Sequence, residues 1–298
     1  MKNAPIVLFA FNRADSLKNT VSSLLDNDEA PESDLFVFVD GARENVPGEA
    51  RQVDEVRQYV KSITGFKSTT YFFAETNSGL GASIIRGVSL VIEKYGQAIV
   101  LEDDLVLAPN FLAFMNAGLT RYETEKQVFS VCGYTNEVKI PRNYTEDAYF
   151  CTRSSSWGWG TWADRWNTVD WALEDWDKYR KLARAFNRWG GSDCFRMLRS
   201  VKEGRGNSWA IRFGFSQFLQ HGLSLFPISS KVRNDGFDGQ GTNCKKWSRF
   251  RFVFDQTGKK TFKLPATVSL NKKLYRSAMS YHTIPIRLYS RLMYFIHR

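Results

Sequence analysis

The first half of the chain carries short apolar runs at Ile6-Val7-Leu8-Phe9, Leu35-Phe36-Val37-Phe38-Val39, Thr70-Tyr71-Phe72-Phe73 and Ile99-Val100-Leu101. Each is continuous rather than alternating, which predicts strands covered on both faces. Between them the apolar positions change to helical spacing. Leu17, Val21, Leu24 and Leu25 share one face, as do Val53, Val56, Val60 and Ile63, and then Ile84, Val88, Val91 and Tyr95. The order βαβαβαβ predicts an α/β fold with a mostly parallel sheet flanked by helices. In an open sheet of this kind ligands bind beyond the carboxyl ends of the strands. Those ends are polar here: Asn12 and Arg13 after the first run, Asp40-Gly41 after the second, Asn77-Ser78-Gly79-Leu80-Gly81 after the third and Glu102-Asp103-Asp104 after the fourth. Asp and Asn also cap helices and form turns, and Asn12 fits that role well. Such ends converging on one crevice predict a site.

Glu102-Asp103-Asp104 is the sharpest of these signals. Three consecutive carboxylates repel one another, so a compensating cation is the simplest reason to place them at a strand end. Oxygen-only ligands select Mg²⁺ or Mn²⁺, ions that keep coordination positions open for nucleotide phosphates. The competing reading is an acidic loop capping a helix that starts near Pro109. Asn77 to Arg86 lacks the third glycine of a dinucleotide fingerprint and follows the third strand rather than the first. Its glycines let backbone approach a ligand closely, and Arg86, one helical turn on, is either a diphosphate contact or a solvated helix residue.

Composition narrows the setting. The chain has 298 residues, 43% apolar and 15% aromatic, ample for a buried core and unlike a disordered protein. Met1-Lys2-Asn3 runs straight into the first strand, and no stretch reaches membrane-span length, so a cytoplasmic location is expected. Cys132, Cys151, Cys194 and Cys244 show no CxxC spacing, which argues for reduced, buried thiols and against zinc. The net charge of +10 suits polyanionic partners, yet the region up to about Thr124 is nearly balanced and the excess gathers in Lys245 to Arg298. No nucleic-acid reading motif accompanies it, and no nucleic-acid partner is expected. Ile284 to Arg298 mixes bulky apolar and basic residues. It reads either as a peripheral contact with the inner face of a membrane or as a helix docked on the body.

With these residues in view, Val100-Leu101-Glu102-Asp103-Asp104-Leu105-Val106-Leu107-Ala108-Pro109-Asn110-Phe111-Leu112 resembles the nucleotide-sugar glycosyltransferases of the GT-A fold. The likeness is to the N-acetylglucosaminyltransferase I type, whose Glu-Asp-Asp motif is likewise followed by an apolar-Ala-Pro stretch and a helix. It covers about the first 135 residues. Ala10-Phe11-Asn12-Arg13 is similar to that family's nucleotide-binding opening, and Asp40 to its uracil-contacting Asp. Asn77, Gly79 and Gly87 resemble the Asn-Gly pattern of family 2 glycosyltransferases. The resemblance implies donor binding by Ala10, Asn12, Arg13, Asp40, Asn77, Gly79, Arg86, Glu102 and Asp103. It implies a metal on Asp104 supported by Asp103, and an inverting transfer.

More weakly, Ser154-Ser155-Ser156-Trp157-Gly158-Trp159-Gly160-Thr161-Trp162 is similar to a Gly-Trp segment lining the acceptor side of such enzymes. Tryptophans spaced by Gly and Ser are poor helix or strand material, and open indole faces suit stacking on sugar rings. Trp157, Trp159 and Trp209 are therefore acceptor candidates, whereas Trp162 and Trp166 suit a role as filling between two halves of the fold. One departure stands out. Where the family places its general base, an Asp just before a Trp, this chain reads Asn207-Ser208-Trp209-Ala210-Ile211-Arg212. Neither Asn207 nor Ser208 is a carboxylate. The substitutes are Asp238 and then Asp235 in the glycine-rich Asn234 to Asn243 loop, with Asp193 behind them; Asn243 stands where relatives offer a metal-binding His.

The expectation is a donor half over residues 1–133, an acceptor half over 134–265 and a basic aromatic tail over 266–298. The expected function is a metal-dependent transfer from a nucleoside diphosphate sugar, UDP-linked, to a glycan or lipid-linked acceptor in bacterial surface polysaccharide synthesis. Two alternatives remain: a degenerate carbohydrate- or nucleotide-sugar-binding module, and a sugar nucleotidyltransferase. The last is disfavoured because Phe9 to Arg13 contains no glycine.

Overall fold

A computed structural model describes residues 3–236 and 251–296. In the first half, β1 (Ile6–Ala10), β2 (Asp34–Val39), β3 (Ser68–Phe73) and β4 (Gln97–Glu102) alternate with α1 (Ala14–Leu25), α2 (Glu49–Lys61) and α3 (Leu80–Tyr95). There follow β5 (Leu105–Leu107), α4 (Phe111–Arg121), β6 (Val128–Cys132), β7 (Ala148–Cys151) and β8 (Trp159–Trp162). Helices α5 (Ala163–Trp166), α6 (Trp176–Tyr179), α7 (Ala183–Gly190), α8 (Cys194–Lys202) and α9 (Trp209–Leu219) lead to β9 (Leu223–Pro227) and β10 (Val232–Asn234). The chain closes with α10 (Lys272–Ser280) and α11 (Ile284–Ile296).

The main sheet has the order β3-β2-β1-β4-β8-β6-β9-β7. Its first four strands in that order are parallel, β8 runs antiparallel to β4 and β6, β9 is parallel to β6 and β7 antiparallel to β9. The chain steps outward from β1 to β3 and then returns to set β4 on the other flank of β1. That reversal opens a crevice beyond the carboxyl ends of β1 and β4. The two-residue period of the strands divides the core between two layers. Ile6, Leu8 and Ala10 pack with Leu17, Val21, Val53 and Val56 of α1 and α2, while Val7 and Phe9 pack with Ile84, Val88 and Val91 of α3.

Two expectations change. The continuous run at β3 predicted burial on both faces, but β3 is an edge strand on which Tyr71 and Phe72 are exposed. The Gly-Trp segment, expected to be irregular, is so over Ser154 to Gly158, but its second half, Trp159–Trp162, forms β8 at the middle of the sheet. Gly160 explains why: a Cβ there would lie 3.0 Å from the Ala98 carbonyl and 3.2 Å from Leu119, so glycine lets β8 seat between its neighbours.

Beyond residue 133 the sheet continues without a break into β9 and β7. Leu274 and Ala278 of α10 join Tyr149, Cys151 and Phe226 in a small core. On α11, Arg287 Nη1 donates to Ser192 Oγ at 2.8 Å, whereas Ile284, Leu288 and Leu292 are exposed. Among the described residues no helix is long and apolar enough to cross a membrane. Cys132, Cys151 and Cys194 are buried free thiols; Cys244 lies outside the described residues.

Candidate functional site

A cleft of about 2200 Å³ opens at the strand ends and is lined by Ala10, Asn12, Arg13, Asp40, Asn77, Gly79, Glu102, Asp103 and Asp104. The fold thus brings all the donor candidates together except Arg86. At its centre Arg13 Nη2 donates to Asp103 Oδ1 at 2.7 Å and to Asp104 Oδ2 at 3.2 Å. The Phe11 N–H donates to Asp103 Oδ2 at 3.3 Å. A second wall arrives with β10, which pairs antiparallel with β5 and sets Asn234 opposite Leu105. From there Asn234 Nδ2 donates to Asp104 Oδ1 at 3.4 Å and the Asp235 N–H donates to the Asp104 carbonyl at 3.0 Å.

The acids are short of positive charge. Burial, then repulsion from Asp104 and Asp103, pushes the Glu102 carboxyl up to about 8. Burial also pushes Asp103 up to about 6, against the pull of Arg13. Burial works against the charged form of Arg13 too, but the two aspartates overcome it and raise its pKa. One guanidinium facing three carboxyl groups is a donor set that fits a hard divalent cation, with Asp104 and Asp103 supplying oxygens. Among the described residues no group of three or more His, Cys, Asp or Glu side chains is arranged to hold a metal ion by itself, so a cation here would rest on Asp104 and Asp103 with its other positions open to water and substrate.

Asp40 acts on backbone. Its Oδ1 accepts from the N–H groups of Gly41 and Ser78, both at 3.0 Å, and its Oδ2 from that of Gly79 at 2.8 Å. Asn77 Nδ2 donates to the Gly41 carbonyl at 2.9 Å, closing the same loop. Gly79 stands just before α3 with φ +77°, a conformation that favours glycine. Gly81 differs from expectation, because the group it admits belongs to the protein: a Cβ there would lie 2.1 Å from the Asn207 carbonyl oxygen. The glycine thereby lets the loop leading into α9 close over α3. Asn12 Nδ2 donates to Glu49 Oε1 at 3.3 Å.

Several candidates fall elsewhere. Arg86 is exposed on α3 and outside the cleft lining, because Ile84, Val88 and Val91 take the opposite face into the core. Cationic lining comes instead from Arg196, Arg199 and Arg205. Their signal in the sequence is the three-residue spacing of Arg196 and Arg199 on α8. Trp157 lines the cleft, but Trp159 is 1% exposed, its ring centroid 4.6 Å from that of Trp209 and 5.8 Å from that of Trp166. The expected stacking face at Trp159 is therefore corrected to a core contact, and Trp209, 5% exposed, offers the cleft little more than an edge.

Ser208 caps α9, its Oγ accepting from the Ile211 N–H at 3.4 Å, which accounts for a hydroxyl where a carboxylate was sought. Asp193 lies outside the cleft lining. Burial would raise its pKa, but Arg153, 2.8 Å away, brings it down to about 2. Asp235 lines the cleft and pairs with Arg233 at 2.6 Å. Asp238 and Asn243 lie outside the described residues. Asn234, beside Asp104, carried no signal of its own in the sequence.

Comparison with known proteins bears on this geometry. The GNT-I family matches residues 1–221, a span from β1 through α9 that holds most of the cleft lining. The alpha-1,3-mannosyl-glycoprotein 2-beta-N-acetylglucosaminyltransferase of Arabidopsis thaliana is 23% identical over 264 residues, covering 83% of this chain and 57% of the relative. The chain thus spans little more than half the length of that relative. Among solved structures, S. aureus TarS aligns with a TM-score of 0.43 at 11% identity, over 77% of this chain and 36% of that one. With the family match spanning the parallel half-sheet, the strand-end acids and the loop that closes over α3, the chain belongs to the GNT-I family.

Proposed function

We propose that this protein is an inverting glycosyltransferase. It moves a sugar of the N-acetylglucosamine class from a UDP-linked donor to a hydroxyl of a glycan or glycolipid. The name of the Arabidopsis relative supports the sugar class. The observation that carries the reading is the Arg13–Asp103–Asp104 cluster at the β1/β4 switch point, where two acids share one guanidinium and a third, Glu102, is pushed up by burial beside them.

Asp104 and Asp103 would hold Mg²⁺ or Mn²⁺, which when bound supplies Lewis-acid neutralisation of the departing diphosphate. Arg13 and the Arg196, Arg199 and Arg205 wall offset further phosphate charge. Asp40 keeps the Ser78–Gly79 backbone in place at the nucleotide end of the cleft. Asp235, which lines the cleft beside Asp104 and pairs with Arg233, is the described carboxylate that we assign to the acceptor. As the acceptor oxygen bonds to the anomeric carbon and the bond from that carbon to the diphosphate oxygen breaks, the acceptor proton passes to the Asp235 carboxylate. Asp238 is the other candidate for this step.

The test is UDP release from UDP-N-acetylglucosamine with Mn²⁺ or with a chelator, across a panel of mono- and disaccharide acceptors. Metal-dependent release that is lost in Asp104→Asn is expected. Metal-dependent binding of the nucleotide sugar with no release under any condition would replace the transferase with a binding module.

A further inference from the structure

Behind Trp157 lies a second cavity, about 210 Å³ in volume. We propose that it is a subsite for one neutral sugar ring of the acceptor, a reading that rests on the transferase function above and names where its second substrate is held. Position is the first argument. Ser156 and Trp157 line both this cavity and the donor cleft, so the two spaces share a wall. The volume is below the roughly 300–1,000 Å³ of pockets for drug-sized ligands, which favours one ring over an extended chain.

The lining has the chemistry of saccharide recognition. Trp157, half-buried between the two spaces, is the aromatic face suited to the C–H face of a pyranose, while Tyr134, edge to face with it at 4.5 Å between centroids, and Phe226 are buried and form the apolar floor. Neutral hydrogen-bonding groups sit among them. The Asn136 carboxamide accepts from the Tyr134 hydroxyl at 2.8 Å, and the serines of the Ser154–Ser156 run add hydroxyls. Arg153 also lines the space, but its guanidinium is committed to Asp193 at 2.8 Å and to the Gly190 carbonyl at 2.9 Å. Asp193, which also feels His282 and Arg287, thus holds the Arg153 charge away from the cavity, and the hydroxyls and carboxamide left facing it suit a polyhydroxylated neutral ligand.

The remaining wall is α10, through Ala278 and Met279. This helix lies beyond the 1–221 span that matches the family. The subsite thus joins residues of the family-matched span, Tyr134 to Trp157, with residues beyond it.

The experiment is ligand-observed saturation-transfer NMR on the full chain, with methyl glycosides of mannose, galactose, glucose and N-acetylglucosamine, and UDP-N-acetylglucosamine with Mg²⁺ in the same sample. Ala278→Trp fills the cavity from α10, and Asn136→Ala removes its carboxamide without adding bulk. Wild type is expected to saturate at least one glycoside, and both variants to lower that signal by roughly fivefold or more, with the UDP-N-acetylglucosamine signal unchanged. No glycoside signal in wild type, or a signal in either variant that equals the wild-type signal, overturns the subsite. Glycoside signal without any from UDP-N-acetylglucosamine supports the subsite while removing the transferase reading, so the two failures are distinguishable.

Discussion

Two arginine–aspartate clusters in this molecule are built from the same residue types and differ in their charge balance. At Arg153 one guanidinium meets one carboxylate, and Asp193 is held down to about 2 although burial works against it. At Arg13 one guanidinium meets Asp103 and Asp104 with Glu102 behind them, and burial and mutual repulsion carry Glu102 up to about 8 and Asp103 to about 6. The first cluster is electrically closed and fastens the segment after β7 to the start of α8. The second is open, and its unmet negative charge is what a divalent cation, and a diphosphate only through that cation, could use in the proposed function. A balanced buried pair acts as a structural tie, whereas an unbalanced one at a strand end is a candidate binding site.

The largest effect should separate them by chemistry. Asp104→Asn is expected to lower UDP release on the order of 10³-fold while leaving the thermal unfolding of the metal-free protein unchanged or slightly raised. A large fall in metal-free stability would instead make the Arg13 cluster a tie like the other. Next, Arg153→Met leaves the Asp193 carboxylate buried without its partner, and urea unfolding should show a loss of about 3 kcal/mol. A loss near zero would mean that Asp193 is better solvated than its 10% side-chain exposure indicates.

A smaller effect concerns the closure of the cleft. Gly81→Ala puts a methyl group against the Asn207 carbonyl, so about 2 kcal/mol of stability should be lost and the donor KM should rise as the loop before α9 moves away. The smallest effect, read per pH unit, is a slope. Asp193, held near 2 from an ordinary 3.8, contributes stability that is full above that ordinary value and is lost as pH falls through about 2. Glu102, raised from 4.5 to about 8, costs nothing below its ordinary value, and its cost accumulates as pH rises toward 8. Each slope is limited to about 1.4 kcal/mol per pH unit. Urea midpoints of the metal-free protein should therefore fall on both limbs, with Glu102→Gln flattening the alkaline limb and Asp193→Asn the acid one.

Much of the donor side was legible because its signals are local. Parallel strands buried in a layered sheet appear as unbroken apolar runs, and β1, β2 and β4 lie within a few residues of theirs. Glu102-Asp103-Asp104 was legible because three adjacent like charges have little structural use. What escaped the sequence depends on distant partners. Arg153 and Asp193 are 40 residues apart, and nothing near either announces the pairing. Gly-spaced tryptophans read as an open loop until β4 and β6 are known to flank them, whereupon Gly160 becomes a packing residue and Trp159 a core one. Arg86 has the right residue type in the right helix, but only the direction of the α3 core face shows that it points away. The Asn234–Asp104 contact depends on β10 crossing back to β5, a pairing that no short-range pattern predicts.

The central claim is that the open acid cluster at the β1/β4 switch point binds a nucleotide sugar together with a divalent cation. Thermal melting of wild type and Asp104→Asn, with Mn²⁺ alone, UDP-N-acetylglucosamine alone and both together, tests it most directly. The account predicts stabilisation that requires both components, reaching about 2.7 kcal/mol at ligand concentrations 100-fold above Kd, and absent in the variant. Stabilisation that is the same without the metal, or that survives in Asp104→Asn, would contradict it.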